Sequence, residues 1–225
     1  MIRIGSLILL VSALAGAALA QARAVSLEEV GGMTLRNVKA ERAMHKGRKA
    51  LRVSDDAPSS IGDGDRLVIL PGTDFQDGVI ELELAGEPAR NAGEGARGFV
   101  GLAFRVAPEA KTFECFYLRP TNGRADDQVR RNHSTQYISY PAFPWQKLRK
   151  EFPEKYESYV DLVPAEWTKV KVEVRGGQAR LYVHGAAQPA LIVNDLKLGA
   201  SARGAIALWV GPGTVAHFAN LRITR

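Results

Sequence analysis

The 225-residue chain has a single cysteine, Cys115, so it has no intramolecular disulfide framework. Its four histidines, His45, His133, His184 and His217, show no H-x-x-x-H spacing, and no C-x-x-C occurs. The common zinc-site patterns are thereby excluded. Asp55-Asp56 and Asp63-Gly64-Asp65 lack the spaced oxygen series of a calcium loop and read as turn signals. No metal or other cofactor is expected. There is no G-x-S-x-G nucleophile elbow. The spaced glycines of Gly93-Glu94-Gly95-Ala96-Arg97-Gly98 follow no strand and open no helix, so they read as a flexible turn rather than a phosphate loop. Nucleic-acid recognition motifs are missing, and no nucleic-acid partner is expected. Helical periodicity beyond three turns is missing too; the best helical candidate, Trp145 to Tyr159, is interrupted by Pro153.

One apolar run stands out, at the N-terminus. Arg3 precedes a run from Ile4 to Leu14, and small residues follow up to Ala18-Leu19-Ala20. A short positive region, a short apolar region and an A-x-A site describe a cleaved secretory signal over residues 1–20. The run is too short for a good membrane span, which needs about 20 apolar residues, and none follows it. The expectation is a periplasmic or secreted protein without membrane insertion, folded as one domain from Gln21 to Arg225. With 46% hydrophobic residues the chain is not of the disordered class.

What remains reads as strands. Ile80, Leu82 and Leu84 alternate with Val79, Glu81 and Glu83. Phe99 to Val106 is apolar on both faces as far as Arg105, and Phe113 to Leu118 follows a turn. Val170, Val172 and Val174 alternate with Lys169, Lys171 and Glu173; Gly176-Gly177 then reverses the chain into Ala179, Leu181 and Val183. Gly204 to Val210 and Val215 to Ile223 complete the set. Many short strands divided by Gly, Pro, Asn and Asp predict an all-β, two-sheet antiparallel sandwich.

Between Arg119 and Pro164 the character changes, and a long ordered loop insertion is expected there. It holds Asn122, Arg130, Arg131, Asn132, His133, Gln136, Tyr137 and Trp145. Aromatic rings can cover the C–H face of a pyranose while Arg, Asn, Gln and His bind its hydroxyls. These residues, with Arg105, Tyr117 and Arg119, are the candidate contacts to a glycan or small saccharide. Seven Lys or Arg from Arg119 to Lys150 oppose only Asp126 and Asp127, which favours acidic groups on the glycan. A second basic stretch, Arg36 to Arg52, reads as a solvated outward strand face.

Carboxylates offer little paired chemistry. Glu81 and Glu83 share a strand face about 7 Å apart, a common outer-face pattern. Glu114 shares a face with Phe116 and Leu118 and precedes the polar loop. If partly buried it would titrate high and act as an acid or base; the other reading is an ion pair with Arg105 or Arg119.

The C-terminal order Trp167 to Val174, Ala179 to Val183, Gly204 to Trp209 and Ala216 to Ile223 follows W-x-x-x-x-V-x-V, G-x-I-x-L and F-x-N-L-x-I. With Phe104-Arg105 after Gly98 to Gly101, it resembles the concanavalin A-like lectin/glucanase superfamily, and within it the 3-keto-disaccharide hydrolase family and its relatives. That resemblance implies a concanavalin A-like jelly roll with ligands on the concave sheet, roofed by the segment from Arg119 to Tyr159. Of the family's E-x-Q-x-x-D strand, only Glu114 has a counterpart. Three functions are open: an exported glycan-binding sandwich protein, a glycoside or 3-keto-glycoside hydrolase using Glu114, and a laminin G-like interaction protein of the cell envelope.

Overall fold

The computed structural model describes residues 22–57 and 65–225. The proposed signal, residues 1–20, lies outside them, as do Asp63 and Gly64. The described residues form β1 (Ala22–Ala24), β2 (Thr34–Arg36), β3 (Val38–His45), β4 (Arg48–Asp55), β5 (Leu67–Ile69), β6 (Gly78–Pro88), β7 (Val100–Val106), β8 (Phe113–Leu118), α1 (Gln128–Asn132), β9 (Thr135–Tyr140), α2 (Trp145–Glu151), β10 (Glu157–Ser158), β11 (Thr168–Arg175), β12 (Gln178–Val183), β13 (Leu191–Val193), β14 (Ala205–Val210) and β15 (Thr214–Thr224). A first sheet runs β13-β12-β11-β6-β15-β4-β3, with β1 added against β15; a second runs β10-β9-β8-β7-β14-β5-β2. Neighbouring strands pair antiparallel. The result is a two-sheet antiparallel jelly-roll sandwich.

The first sheet follows its period-two pattern. Leu82 pairs with Val170 and Ile80 with Val172, all buried on the inner face, while Glu81 and Lys169 point to water. Each such buried side chain contributes about 1.5–3 kcal/mol. Gly176, at φ +54°, makes the tight reversal between β11 and β12. The basic stretch on β3 and β4 is largely compensated: Lys39 pairs with Asp56, Arg52 with Glu41, and Arg48 with Glu83. Asp55 is held by Arg66 and by the Gly213 N–H, a structural role for that turn.

In the second sheet, β7 and β8 are buried along their whole length. One face meets the first sheet. The other is covered by the chain before β7 and after β8, so alternation gives way to continuous apolar runs. The predicted loop insertion is only partly a loop. Its β9 pairs with β8 from Phe113↔Tyr140 to Leu118↔Thr135, and β10 pairs with β9. Buried polar side chains disguise that strand: Gln136 is fully buried, accepting from Arg119 and donating to the carbonyls of Tyr137 and Tyr156. Helix α2 stops two residues before Pro153, as the missing N–H of proline requires.

Arg105 also departs from expectation. Ala205 pairs with Val106 and Ala207 with Ala103, so Phe104 and Arg105 together oppose Ile206 in a β-bulge, with Arg105 at φ +53°. The guanidinium is buried. It donates to the carbonyls of Gln76, Gly199 and Gly176 at 3.0, 2.8 and 2.8 Å, and to Asp77 at 3.2 Å. These acceptors lie in turns flanking the strands of the first sheet. Arg105 therefore braces one sheet against the other and does not line the cavity on the outer face of the second sheet.

Candidate functional site

Residues on the outer face of the second sheet form a floor. By register Tyr117 lies opposite Gly101, and Gly101 opposite Trp209. With no side chain between them, the two rings pack at 4.6 Å between centroids, tilted by 30°. A Cβ on Gly101 would stand 2.3 Å from the Phe116 carbonyl oxygen and 2.5 Å from the Tyr117 Cβ, so only glycine permits this close pairing. Phe99 meets Tyr117 edge-on at 6.1 Å.

Four segments wall this floor. They are the Gly93 to Arg97 turn, the stretch from Arg119 to His133, the chain from Tyr140 to Arg149 that includes most of α2, and the Pro212-Gly213 turn. They bound an open-mouthed cavity of about 810 Å³. Trp145 stands in the wall with the Arg149 guanidinium 4.6 Å and the Arg119 guanidinium 5.9 Å from its ring centroid. Arg119 is 5% exposed. It donates to the Tyr117 hydroxyl and to Gln136 at 2.9 Å each, to the His133 carbonyl at 2.9 Å, and to Glu157 at 3.1 Å. It thus locks the edge of the aromatic floor to the wall.

Glu157, on β10, is the counter-charge behind that wall. It accepts from the Arg149 Nε at 2.8 Å and from the Arg149 Nη2, and His133 Nε2 lies 3.7 Å away. Burial pushes its carboxyl up, but the hydrogen bonds from Arg149 and the charges of Arg119, Arg149 and His133 outweigh burial and hold it below the usual range. Burial chiefly lowers the His133 pKa, with Arg149 and Arg119 adding to that and Glu157 opposing. A neutral imidazole offers both a donor and an acceptor.

The cavity brings together Tyr117, Arg119, Asn122, Arg130, His133 and Trp145 of the residues expected from sequence. Gln136 lies behind them as a support. Arg131 is turned to Tyr159, donating to its hydroxyl at 3.0 Å, and Asn132 accepts from Gln128 on the surface of α1. Neither lines the cavity.

Glu114 and Tyr137 are placed otherwise than expected. They share the inner face of the sheet with Phe116, opposite to Tyr117, and are fully buried. The Tyr137 hydroxyl donates to Glu114 and accepts from the Lys197 N–H at 3.0 Å; the Leu198 N–H donates to Glu114 at 2.7 Å. Burial pushes the Glu114 carboxyl up, against the hydrogen bonds from Tyr137, Leu198 and Ser139. The pair pins the chain before β14 to the sheet, and Glu114 does not face the cavity. The alternation placed Glu114 with Phe116 correctly, but that face meets the other sheet.

Sequence reasoning missed Arg97, Phe99, Tyr140, Arg149 and Trp209 as lining residues. A signal existed: strands apolar on both faces need cover on both, and the aromatics at their outward positions are that cover's underside. Among the described residues no group of three or more His, Cys, Asp or Glu is placed to hold a metal ion. No described helix is long and apolar enough to cross a membrane.

No family model matches the chain, and no curated protein sequence matches it. Solved structures do. The chain is similar to the carbohydrate binding module CBM66 from Bacillus subtilis, with a TM-score of 0.53 and 15% identity over 84% of this chain and 94% of that one. It is also similar to a Bacillus subtilis protein of unknown function with a galectin-like fold, with a TM-score of 0.52 and 13% identity over 86% of this chain and 96% of that one.

Proposed function

We propose that this protein binds a saccharide in the cavity on the outer face of its second sheet and does not cleave it. One observation carries the reading. A paired Tyr117–Trp209 floor lies in a cavity of about 810 Å³ whose described lining has several arginines and no carboxylate. Aromatic surface with a few placed polar groups is the usual design of a small-ligand site in this size range. The scaffold shared with a carbohydrate binding module supports it. Glycoside hydrolysis normally uses two carboxyls flanking the bond. Here Glu157 is held by two arginines and Glu114 faces the other sheet, so the keto-glycoside hydrolase reading lacks its acid. The cationic rim favours acidic glycans over neutral ones.

Glycan-array screening followed by calorimetry tests this. The Trp209→Ala variant is expected to lose about tenfold or more in affinity for any sugar bound, ~1.4 kcal/mol. Ile192→Ala, on the exposed outer side of the first sheet, is expected to bind as the parent does. Absence of binding to every neutral and acidic sugar, with a protein co-purifying stably instead, would favour the envelope interaction role and remove this one.

In the same proposal residues 1–20 direct export, placing the protein in the periplasm or outside the cell. The mass of the mature protein should then correspond to a chain beginning at Gln21. A mature chain that keeps Met1 would remove the export part and leave the binding part standing.

A further inference from the structure

We propose that Arg97 and Arg130 form a reader for an anionic group on the bound sugar, a part that Arg119 and Arg149 do not play. The inference rests on the saccharide reading above and specifies its ligand. All four arginines line the cavity, but they divide into two pairs. Arg119 and Arg149 both bond Glu157, and Arg119 is further committed to Tyr117, Gln136 and the His133 carbonyl. They share the one carboxylate of Glu157, and these bonds fix their geometry as wall.

Arg97 and Arg130 have no such counter-charge. Arg97 stands in the turn between β6 and β7. Its Nη1 donates to the carbonyls of Ala96, at 2.9 Å, and Glu94, while its Nε and Nη2 have no partner among the described residues. Arg130 projects from α1, and its guanidinium makes no ion pair or hydrogen bond among the described residues. Two unanswered cations therefore meet across the cavity from different segments. Burial, followed by the charges of Arg130 and Arg119, holds Arg97 below the usual guanidinium range. An anion between Arg97 and Arg130 would relieve that repulsion.

The chemistry of the site suits a ring that carries its charge at the edge. A pyranose with a carboxylate or a sulfate ester can lay its C–H face on Tyr117 and Trp209 and reach the wall with the anion. The Arg97 Nε and Nη2 form the fork that matches two oxygens of such a group. His133 and Asn122, also in the lining, are left for hydroxyls.

Calorimetry on the full mature chain tests this with defined probes. These are the methyl glycosides of glucuronic, galacturonic and mannuronic acid and of N-acetylneuraminic acid, each beside its neutral methyl ester, and glucose 6-sulfate beside glucose. At least one anionic form is expected to bind about tenfold or more tighter than its neutral partner, through charge-assisted hydrogen bonds. Added salt should narrow that gap. Which series shows the gap separates a carboxylate from a sulfate ester. Arg97→Gln and Arg130→Gln should each shrink the gap by about fivefold or more, whereas Ile192→Ala, on the exposed side of the first sheet, should leave it as in the parent. Because Arg130 is exposed, its variant also guards against a folding artefact in the Arg97 turn.

Equal binding of anionic and neutral forms would overturn the reader and leave the saccharide site intact. So would a gap that survives in both variants. Failure of every probe, charged and neutral, would take the saccharide reading down with it.

Discussion

The Arg105→Met variant is expected to unfold about 3–5 kcal/mol more easily than the parent, the usual cost of removing one partner from a buried charged network. Methionine fills much of the aliphatic volume but donates nothing. The half-buried carbonyls of Gln76, Gly176 and Gly199 would each lose their donor from Arg105, at about 1 kcal/mol or more each, toward the lower end of the cost of a buried group left unmade. Asp77 is half exposed and recovers water, so the loss resides in the carbonyls rather than in the ion pair. Arg105→Lys keeps the charge but cannot reach acceptors in several directions at once, and should fall between the two. Denaturant unfolding checks this. A loss below about 1 kcal/mol would show that the bulge, and not the guanidinium, joins the sheets. Saccharide binding by the folded variant should be unchanged, because Arg105 does not line the cavity.

The second large effect is expected at Glu157. Glu157→Gln keeps an acceptor but removes the charge shared by Arg119 and Arg149, at about 2–3 kcal/mol near neutral pH for hydrogen bonds to charged groups. The sign of the pH dependence follows from the lowered pKa of Glu157. A carboxyl whose folded value lies below its unfolded value binds fewer protons in the folded state. Its contribution is fully present above the ordinary Glu range and is lost as pH falls through the folded value. The stability gap between parent and variant should therefore be widest near pH 7, begin to narrow at about pH 4, the ordinary range of a Glu side chain, and go on closing as pH falls through the lower folded value. Melting curves from pH 7 to pH 3 measure it. A gap independent of pH would mean that shape alone, and not charge, holds the wall.

Both cases show where side chains carry information that strand patterns do not. Arg105 ends a strand whose apolar run was plain, yet the bulge that turns it inward depends on pairing with β14, a strand a hundred residues away. Glu157 carried no signal at all. It sits in a two-residue strand, and its importance comes from Arg119, Arg149 and His133 converging from three other segments. Glu114 was the opposite case. Its neighbours on the strand face were legible, but two sheets bound that strand's environment, and only their packing decides which face is interior and which is cavity.

Local periodicity by itself determined many of the strands and turns of the sandwich, though not β9 and β10. The alternation in β6, β11 and β12 and the Gly176-Gly177 reversal depend on contacts a few residues long, and each adopts the conformation its own residues prefer. The same holds for the clustering of arginines and aromatics after Leu118. The tertiary structure decided which of those side chains meet. Gly101 became the gap between Tyr117 and Trp209 only through register across three strands, and Arg97 joined Arg130 only because loops from distant parts of the chain close over one sheet. Secondary structure is set by short-range sterics and patterning, whereas a binding site is a set of long-range coincidences that no single segment records.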